Sequence, residues 1–450
     1  MYPDAGEQQP RGLYVAAATE AWERFSYYGM SALVMLYMVE ALFRPERISS
    51  VHGLAHVQAV LGGLYGPLSP QALASQIFGL YAGLVYLTPL LGGYVADRLL
   101  GVRRTVLAGL VLLTCGHFLM AFENHFLVAL LLLVLGSGFV KGNLSAQVGS
   151  LYPPGEQARR TRGFALMSMS VNIGAVCGPL ACGAAVQAYG WHAGFGVAAT
   201  LMLTSLVIYV LGGKLLPDVA VRRTGCRRGR PAPGAHAIVG LLLIVIAVSL
   251  FQTIVYSQLF NTGLVWISEH VDRSTPFGRI PTPWFTSIDA LASIASAPLL
   301  MRLWKAQAAR GTEPDPLEKM AIGAALTGLQ ALVLALAAAI AGPGRVGAVP
   351  VILVLMSAGI AFNFHWPPLV ALISLAAPKA VNATMINTTF LTFFVGNLAA
   401  GQIAMLYQPL GPAAFWLLNA AIACAGVPLA LVLRRPFAAL APSAAAPRDD

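Results

Sequence analysis

Mostly apolar stretches of membrane-crossing length recur from one end of the chain to the other, separated by short polar breaks. In hydrocarbon a backbone must satisfy its own N–H and C=O groups, so each such run predicts a helix of about 20 residues crossing a bilayer. About twelve runs qualify on that rule. They are 14–43, 70–95, 104–122, 126–150, 163–188, 193–212, 236–268, 283–304, 318–341, 348–376, 380–407 and 412–433. Only 10% of the 450 residues are charged, against about 25% in an ordinary soluble domain, and 57% are hydrophobic. The expectation is an all-α, multi-pass membrane protein whose surroundings are the lipid bilayer.

Two breaks are longer than the rest. Residues 44–69 read as an outer loop containing Gly53, Gly62, Gly63, Gly66 and Pro67. Residues 213–235 hold Lys214, Arg222, Arg223, Arg227, Arg228 and Arg230 without apolar periodicity, and read as a basic cytoplasmic linker. That linker separates an N-terminal six-helix bundle over 1–212 from a C-terminal one over 236–434, the layout of a two-bundle transporter. Residues 435–450, rich in Ala and Pro, predict a disordered tail. With the N-terminus inside, the outer side receives only Arg44, Arg47, Arg273, Arg279 and Arg345 of the 28 Lys and Arg, while Arg24 and Lys141 fall within the membrane. This asymmetry predicts both termini in the cytoplasm and a place in the cell membrane. The net charge of +10 then reports topology, and no nucleic-acid partner is needed to explain it. Cys115, Cys177, Cys182, Cys226 and Cys424 show no metal spacing, and no disulfide is expected. The short polar N-terminus shows no cleavable signal pattern.

Charge inside the first run is the strongest functional signal. On a helix Glu20, Glu23, Arg24, Tyr27, Tyr28 and Ser31 share one side, opposite Val, Ala, Leu, Met and Phe. Each charge at mid-bilayer costs roughly 2.5–3.5 kcal/mol, so the cluster must be paired or face a wet cavity. One reading is a structural ion pair locking this helix to a neighbour. The other is a proton site, because one Arg beside two carboxylates leaves an acid free to titrate. Lys141 lies deep in the fourth run, within Gly136-Ser137-Gly138-Phe139-Val140-Lys141-Gly142-Asn143. A buried ammonium needs a carboxylate or a substrate anion nearby, and Glu20 and Glu23 are the candidates; the alternative is snorkelling to an interface. The loop Gly92-Gly93-Tyr94-Val95-Ala96-Asp97-Arg98, running on to Arg103-Arg104, reads as a cytoplasmic latch. There Asp97 caps the next helix or pairs with a basic neighbour.

These blocks together resemble the proton-dependent oligopeptide transporter family of the major facilitator superfamily. The resemblance rests on Glu20-x-x-Glu23-Arg24 with Phe25-Ser26-Tyr27-Tyr28-Gly29-Met30, Gly92-Gly93-x-x-Ala96-Asp97, and Lys141 with Asn143 and Ser145. It extends to Gly163-Phe164 through Asn172-Ile173-Gly174-Ala175 and, as weaker echoes, to Trp284-Phe285-x-Ser287-x-Asp289, Ala377-Pro378-Lys379-Ala380 and Gly396-Asn397. It implies the major facilitator fold around a central cavity. Glu20 and Glu23 would handle the proton, Arg24 with Lys141 would hold a substrate carboxylate, and Tyr27, Tyr28, Tyr81, Asn172 and Tyr256 would line the substrate site.

Departures from the family pattern concentrate in the C-terminal half. The seventh-span acid before Gln258 is Ser257, and the tenth-span Glu, the usual partner of a peptide amino terminus, is Phe362. The eighth-span Asn is Asp289, the basic residue after the Tyr pair is Ser31, and the fifth-span Tyr is Ser168. Asp289 is therefore expected to serve as the C-terminal carboxylate; the alternative is a helix-turn acid bonded to Ser or Thr. His365 reads as a packed, hydrogen-bonded residue; the alternative is a group that titrates in the same cavity. Arg44 or Arg47 with Glu269 or Asp272 is a candidate outer gate. His52 and His56 stand four apart but lack a completing ligand, so no metal is expected. The Asn382 and Asn387 glycosylation patterns fall within an expected span.

No Walker A, His-Glu-x-x-His or Gly-x-Ser-x-Gly run is present, which disfavours an ATP-driven pump and the common membrane hydrolases. The expected function is proton-coupled import of di- and tripeptides by alternating access, with no cofactor beyond the proton, by a chain working as a monomer. Two alternatives stay open: a same-fold carrier or exporter of another carboxylate-bearing metabolite, and a non-transporting membrane sensor or assembly partner.

Overall fold

The computed structural model describes residues 8–153, 155–218, 235–276, 278–378 and 381–440. Most of the expected linker, Lys379, Cys226 and the tail from 441 lie outside the described residues. The chain forms two compact units. One contains Met1–Ala74, Leu84–Thr224 and Pro281–Ser287; the other contains Ser75–Gly83, Gly225–Ile280 and Ile288–Asp450. A clean division at the basic linker was the expectation, and two short segments depart from it.

The first unit is built on α1 (Arg11–Tyr37), α2 (Leu54–Tyr65), α3 (Pro70–Val95), α4 (Val102–Leu119), α5 (Phe126–Gly149), α6 (Gln157–Tyr189) and α7 (Trp191–Gly212). α1 runs on through a π turn, Met38–Leu42, and α3 through another, Ala96–Leu100. α2 corrects the loop expected over 44–69. Gly53 (φ 81°) and Gly66 (φ 80°) bracket it in a backbone region that favours glycine, and twelve residues between them close into a helix. Ser69 caps α3 by accepting from the Ala72 N–H at 3.2 Å, with Pro70 in the first turn.

Helix α1 lies against α6 with little space to spare. A Cβ at Gly174 would meet the Cβ of Arg24 and the backbone of Phe25, and one at Gly178 would meet the Gly29 backbone. This small-xxx-small stripe lets the two backbones approach closely. Buried hydroxyls fix α1 on its other sides. Ser205 donates to the Thr19 carbonyl at 2.8 Å, and Ser26 donates to the Ala198 carbonyl at 2.6 Å. Since the Ser26 hydrogen is committed there, the His117 Nε2–H is the donor to Ser26 Oγ at 3.0 Å.

The second unit contains α8 (Ala235–Phe260), α9 (Thr262–His270), α10 (Trp284–Ala309), α11 (Pro316–Ala341), α12 (Ala348–Ala376), α13 (Asn382–Ala404) and α14 (Tyr407–Leu440). The first residues of α10 belong to the other unit. The run expected to cross unbroken over 236–268 is interrupted at Asn261, whose side chain donates to the Ser75 carbonyl at 3.1 Å. α14 turns sharply at Gly411 (φ 73°) and continues helical to Leu440, so residues 435–440 are helix rather than tail. Part of the core is formed by Leu242 and Val245 of α8 with Leu369, Leu372 and Ile373 of α12. α11 opens on a capping box. Asp315 Oδ1 accepts from the Glu318 N–H and Glu318 Oε2 accepts from the Asp315 N–H, both at 2.9 Å. Arg434 of α14 ties this box down, with Nε 2.6 Å from Asp315 and Nη1 2.7 Å from Glu318.

Among the described residues, eleven helices are long and apolar enough to cross a membrane. The one expected run without such a helix, 380–407, falls on α13, 23 residues long, whose Asn382, Asn387, Asn397 and four threonines lower its hydropathy. The protein is thus an all-α, multi-pass membrane protein, and among the described residues its four two-residue strands form two two-stranded sheets.

Candidate functional site

Arg24 reaches both acids of its own helix. Its Nε is 2.5 Å from Glu23 Oε2 and 3.1 Å from Glu20 Oε1. Glu23 is fully buried, Arg24 is 4% exposed and Glu20 is 9% exposed. Because all three sit on α1, these ion pairs do not tie that helix to a neighbour, and the interhelical-lock reading loses its basis. Gly174 of α6 packs on the Arg24 Cβ. Glu23 Oε1 and Arg24 Nη2 have no hydrogen-bond partner among the described residues. A buried charged donor left open in this way is a ready site for an anion.

Lys141 comes to the same place from α5. Its Nζ lies 4.9 Å from the ring centre of Tyr27, and the Arg24 Cζ lies 5.3 Å from that same ring. A second ring, Tyr86 of α3, holds the ammonium at 4.7 Å. Among the described residues Lys141 forms no ion pair within 4.0 Å, and the two ring faces are its close contacts. Snorkelling to an interface is excluded by these contacts. Close approach of α3 and α5 brings Tyr86 in. A Cβ at Gly138 would meet Thr88, Asn143 Nδ2 donates to the Gly92 carbonyl at 3.1 Å, and Thr88 donates to the Val134 carbonyl at 3.0 Å. Tyr28 meets Tyr27 edge-on at 5.2 Å. Tyr86 went unrecognised in the sequence; the glycines at 92 and 138 were its only trace.

The second unit holds an acid of a different kind. Asp289 of α10 is 6% exposed and accepts a hydrogen bond from the Tyr256 hydroxyl of α8 at 2.8 Å. Its Oδ1 has no partner among the described residues. The bond goes to a tyrosine, not to the Ser or Thr of the alternative reading. Phe362 of α12 packs on the Tyr256 ring at 5.6 Å. The neighbouring polar groups are occupied: Asn363 donates to the Ser293 carbonyl at 2.8 Å, and His365 lies 3.4 Å from Thr253 Oγ1. Tyr81 is buried in this unit against Phe78.

Other expected residues lie outside these contacts. Asn172 is exposed on α6. Arg47 pairs with Glu123 of its own unit at 2.7 Å. Glu269 is reached by the Tyr407 hydroxyl at 3.5 Å. Asp272 accepts from the Ser274 N–H, and that bond holds its carboxyl below the usual range. Arg44 is exposed. Asp97 and Arg98 are exposed on the π turn after α3, form no ion pair among the described residues, and do not cap α4. His52 meets the His125 ring at 5.6 Å rather than His56. Among the described residues no group of three or more His, Cys, Asp or Glu is placed to hold a metal ion.

Known proteins share this architecture. A crystal structure of peptide transporter POT in complex with sulfate matches with a TM-score of 0.83 at 24% identity, covering 96% of this chain and 95% of that one. A POT family transporter in complex with a thioalcohol-conjugated peptide matches at 0.82 and 25% identity, over 95% and 97%. Peptide transporter YePEPT of Yersinia enterocolitica is 30% identical over 87% of this chain and 86% of its own. A di-/tripeptide transporter of Lactococcus lactis is 26% identical over 95% and 96%. With residues 103–223 and 233–416 also matching the family's own pattern, the chain belongs to the POT family, whose members are transporters rather than enzymes.

Proposed function

We propose that this protein imports di- and tripeptides together with protons by alternating access. The observation that carries the reading is that Arg24, held by Glu20 and Glu23, shares the Tyr27 ring with Lys141. A proton arriving on Glu23 neutralises the carboxylate that holds Arg24. The guanidinium, with Lys141, is then free to take a peptide carboxylate. Proton and cargo compete for one partner and so become coupled. An inward gradient contributes about 2.3 kcal/mol per 100 mV and about 1.4 kcal/mol per pH unit to this exchange. The names of the relatives, peptide and di-/tripeptide transporters, support the cargo class. Asp289 is the proposed partner of the peptide amino group. The chain is placed in the cell membrane with both ends cytoplasmic, working as a monomer with no cofactor other than the coupling proton.

A second reading keeps the fold and changes the cargo to another carboxylate-bearing metabolite. It is favoured by Phe362, an apolar ring standing where the family acid would meet the amine. Uptake into proteoliposomes under an imposed pH gradient separates the two readings. Dipeptides taken up in preference to non-peptide acids support the first, the reverse supports the second, and no driven uptake of either removes both.

A further inference from the structure

We infer that a groove between α4 and α7 of the first unit binds the phosphate headgroup of an anionic phospholipid. A cavity of about 360 Å³ lies there, lined by Arg103, Arg104, Leu107, Tyr209, Val210 and Asp218. Neither arginine is ion-paired among the described residues, although Asp218 stands at the rim. Two guanidiniums face one carboxylate, so the cavity is left cationic. Guanidinium forks match phosphate oxygens in geometry and are weakly hydrated, which suits a partly enclosed anion site. The Tyr209 hydroxyl is committed to Gln147 Oε1 at 2.9 Å and serves as a wall, not a donor.

The surroundings distinguish a lipid from a free anion. From the two arginines the helices present exposed apolar side chains along their length. Leu107 and Val111 follow at four-residue spacing on α4; Leu203, Val207 and Leu211 do so on α7. An inorganic phosphate would use only the arginines. A phospholipid would place its phosphate on them and lay its acyl chains along both stripes. Basic pockets between membrane helices at the headgroup level recognise lipids in this way. The site also gives a role to the basic end of the Gly92–Arg104 segment, whose Asp97 forms no latch.

The test uses the full chain, purified in detergent, stripped of lipid and titrated with phosphatidylglycerol, with bound lipid counted by native mass spectrometry. One phosphatidylglycerol should be retained in preference to phosphatidylcholine. R103Q/R104Q should weaken retention about thirty-fold and R104Q alone about five-fold, as expected for two and one surface charges. R302Q/R310Q, removing two exposed arginines of the other unit, should change nothing. The exposed R104Q variant gives an answer even where the double variant folds poorly. Unchanged retention by R104Q, equal retention of phosphatidylcholine, or displacement of the lipid by inorganic phosphate alone would each overturn the proposal.

Discussion

The two units bury acid in different ways. In the first, Glu20 and Glu23 share a guanidinium on their own helix and an ammonium stands nearby on ring faces. In the second, Asp289 has a phenol hydroxyl as its hydrogen-bond donor and no ion-pair partner among the described residues. An acid that already owns a cation gives it up only when a proton arrives, and then that cation seeks another anion. An acid without a cation is neutralised by a proton or by a cationic guest. The first arrangement suits a carboxylate-bearing cargo coupled to a proton, and the second suits an amine. A zwitterionic peptide presents both groups.

The largest expected effect comes from removing the shared cation. Arg24→Gln leaves two buried carboxylates without their guanidinium. Breaking a buried pair from one side costs about 3–5 kcal/mol, so melting temperature and driven uptake should both collapse. Arg24→Lys separates the two losses: the charge returns and stability recovers, but a point charge does not hold a carboxylate as the fork does, and uptake stays low. Full uptake with lysine would show that only charge matters at this position.

Glu23→Gln should be gentler on the fold, since it removes a charge from a fully buried position while keeping its shape. Uptake driven by a pH gradient should disappear, while exchange of peptide across the same membrane without a gradient persists. Driven uptake at the wild-type level would assign the proton to another group and dissolve the contrast between the units.

The contrast between what the sequence foretold and what it hid has the same physical origin. Charges in an apolar run were readable because the bilayer penalises them so heavily that only a function or a partner explains them; Glu20, Glu23, Arg24 and Lys141 stood out on that ground, whereas Asp289 was noticed only as a departure from the family pattern. Apolar run length was enough to foresee the helices of membrane-crossing length. Features decided by contact between distant segments were not readable. Arg47 pairs with Glu123, 76 residues away in the chain. Tyr86 reaches Lys141 only because α3 and α5 approach at Gly92 and Gly138. α2 was missed because its apolar run is short and flanked by glycines that looked like loop residues. The capping box at Asp315 and Glu318 was legible in principle, as an acid, a proline and a glutamate at the required spacing.

Asp289→Asn tests the second unit directly. The amide oxygen can still accept from Tyr256, so the fold should be kept. A hydrogen bond to a charged group contributes about 1.5–3 kcal/mol, so dipeptides with a free amine should lose roughly ten-fold or more in apparent affinity. N-acylated analogues should lose little. Equal losses for both would remove Asp289 from amine recognition and favour the non-peptide cargo.

Tyr256→Phe is the smallest change and the most discriminating. It removes the donor to Asp289 while keeping a ring against Phe362 and Phe260. A single neutral donor contributes about 1 kcal/mol, so melting temperature should fall only slightly. Were Tyr256 to act only by aiming the Asp289 carboxylate, free-amine dipeptides would weaken a few-fold and N-acylated ones would be unaffected, and the effect would vanish in the Asp289→Asn background. A direct contact between the phenol and the cargo would instead weaken both classes alike and persist in that background. The double-variant measurement therefore separates a carboxylate held in place by tyrosine from a tyrosine that itself touches the substrate. Only the former preserves the idea that the second unit recognises cargo through an unpaired acid.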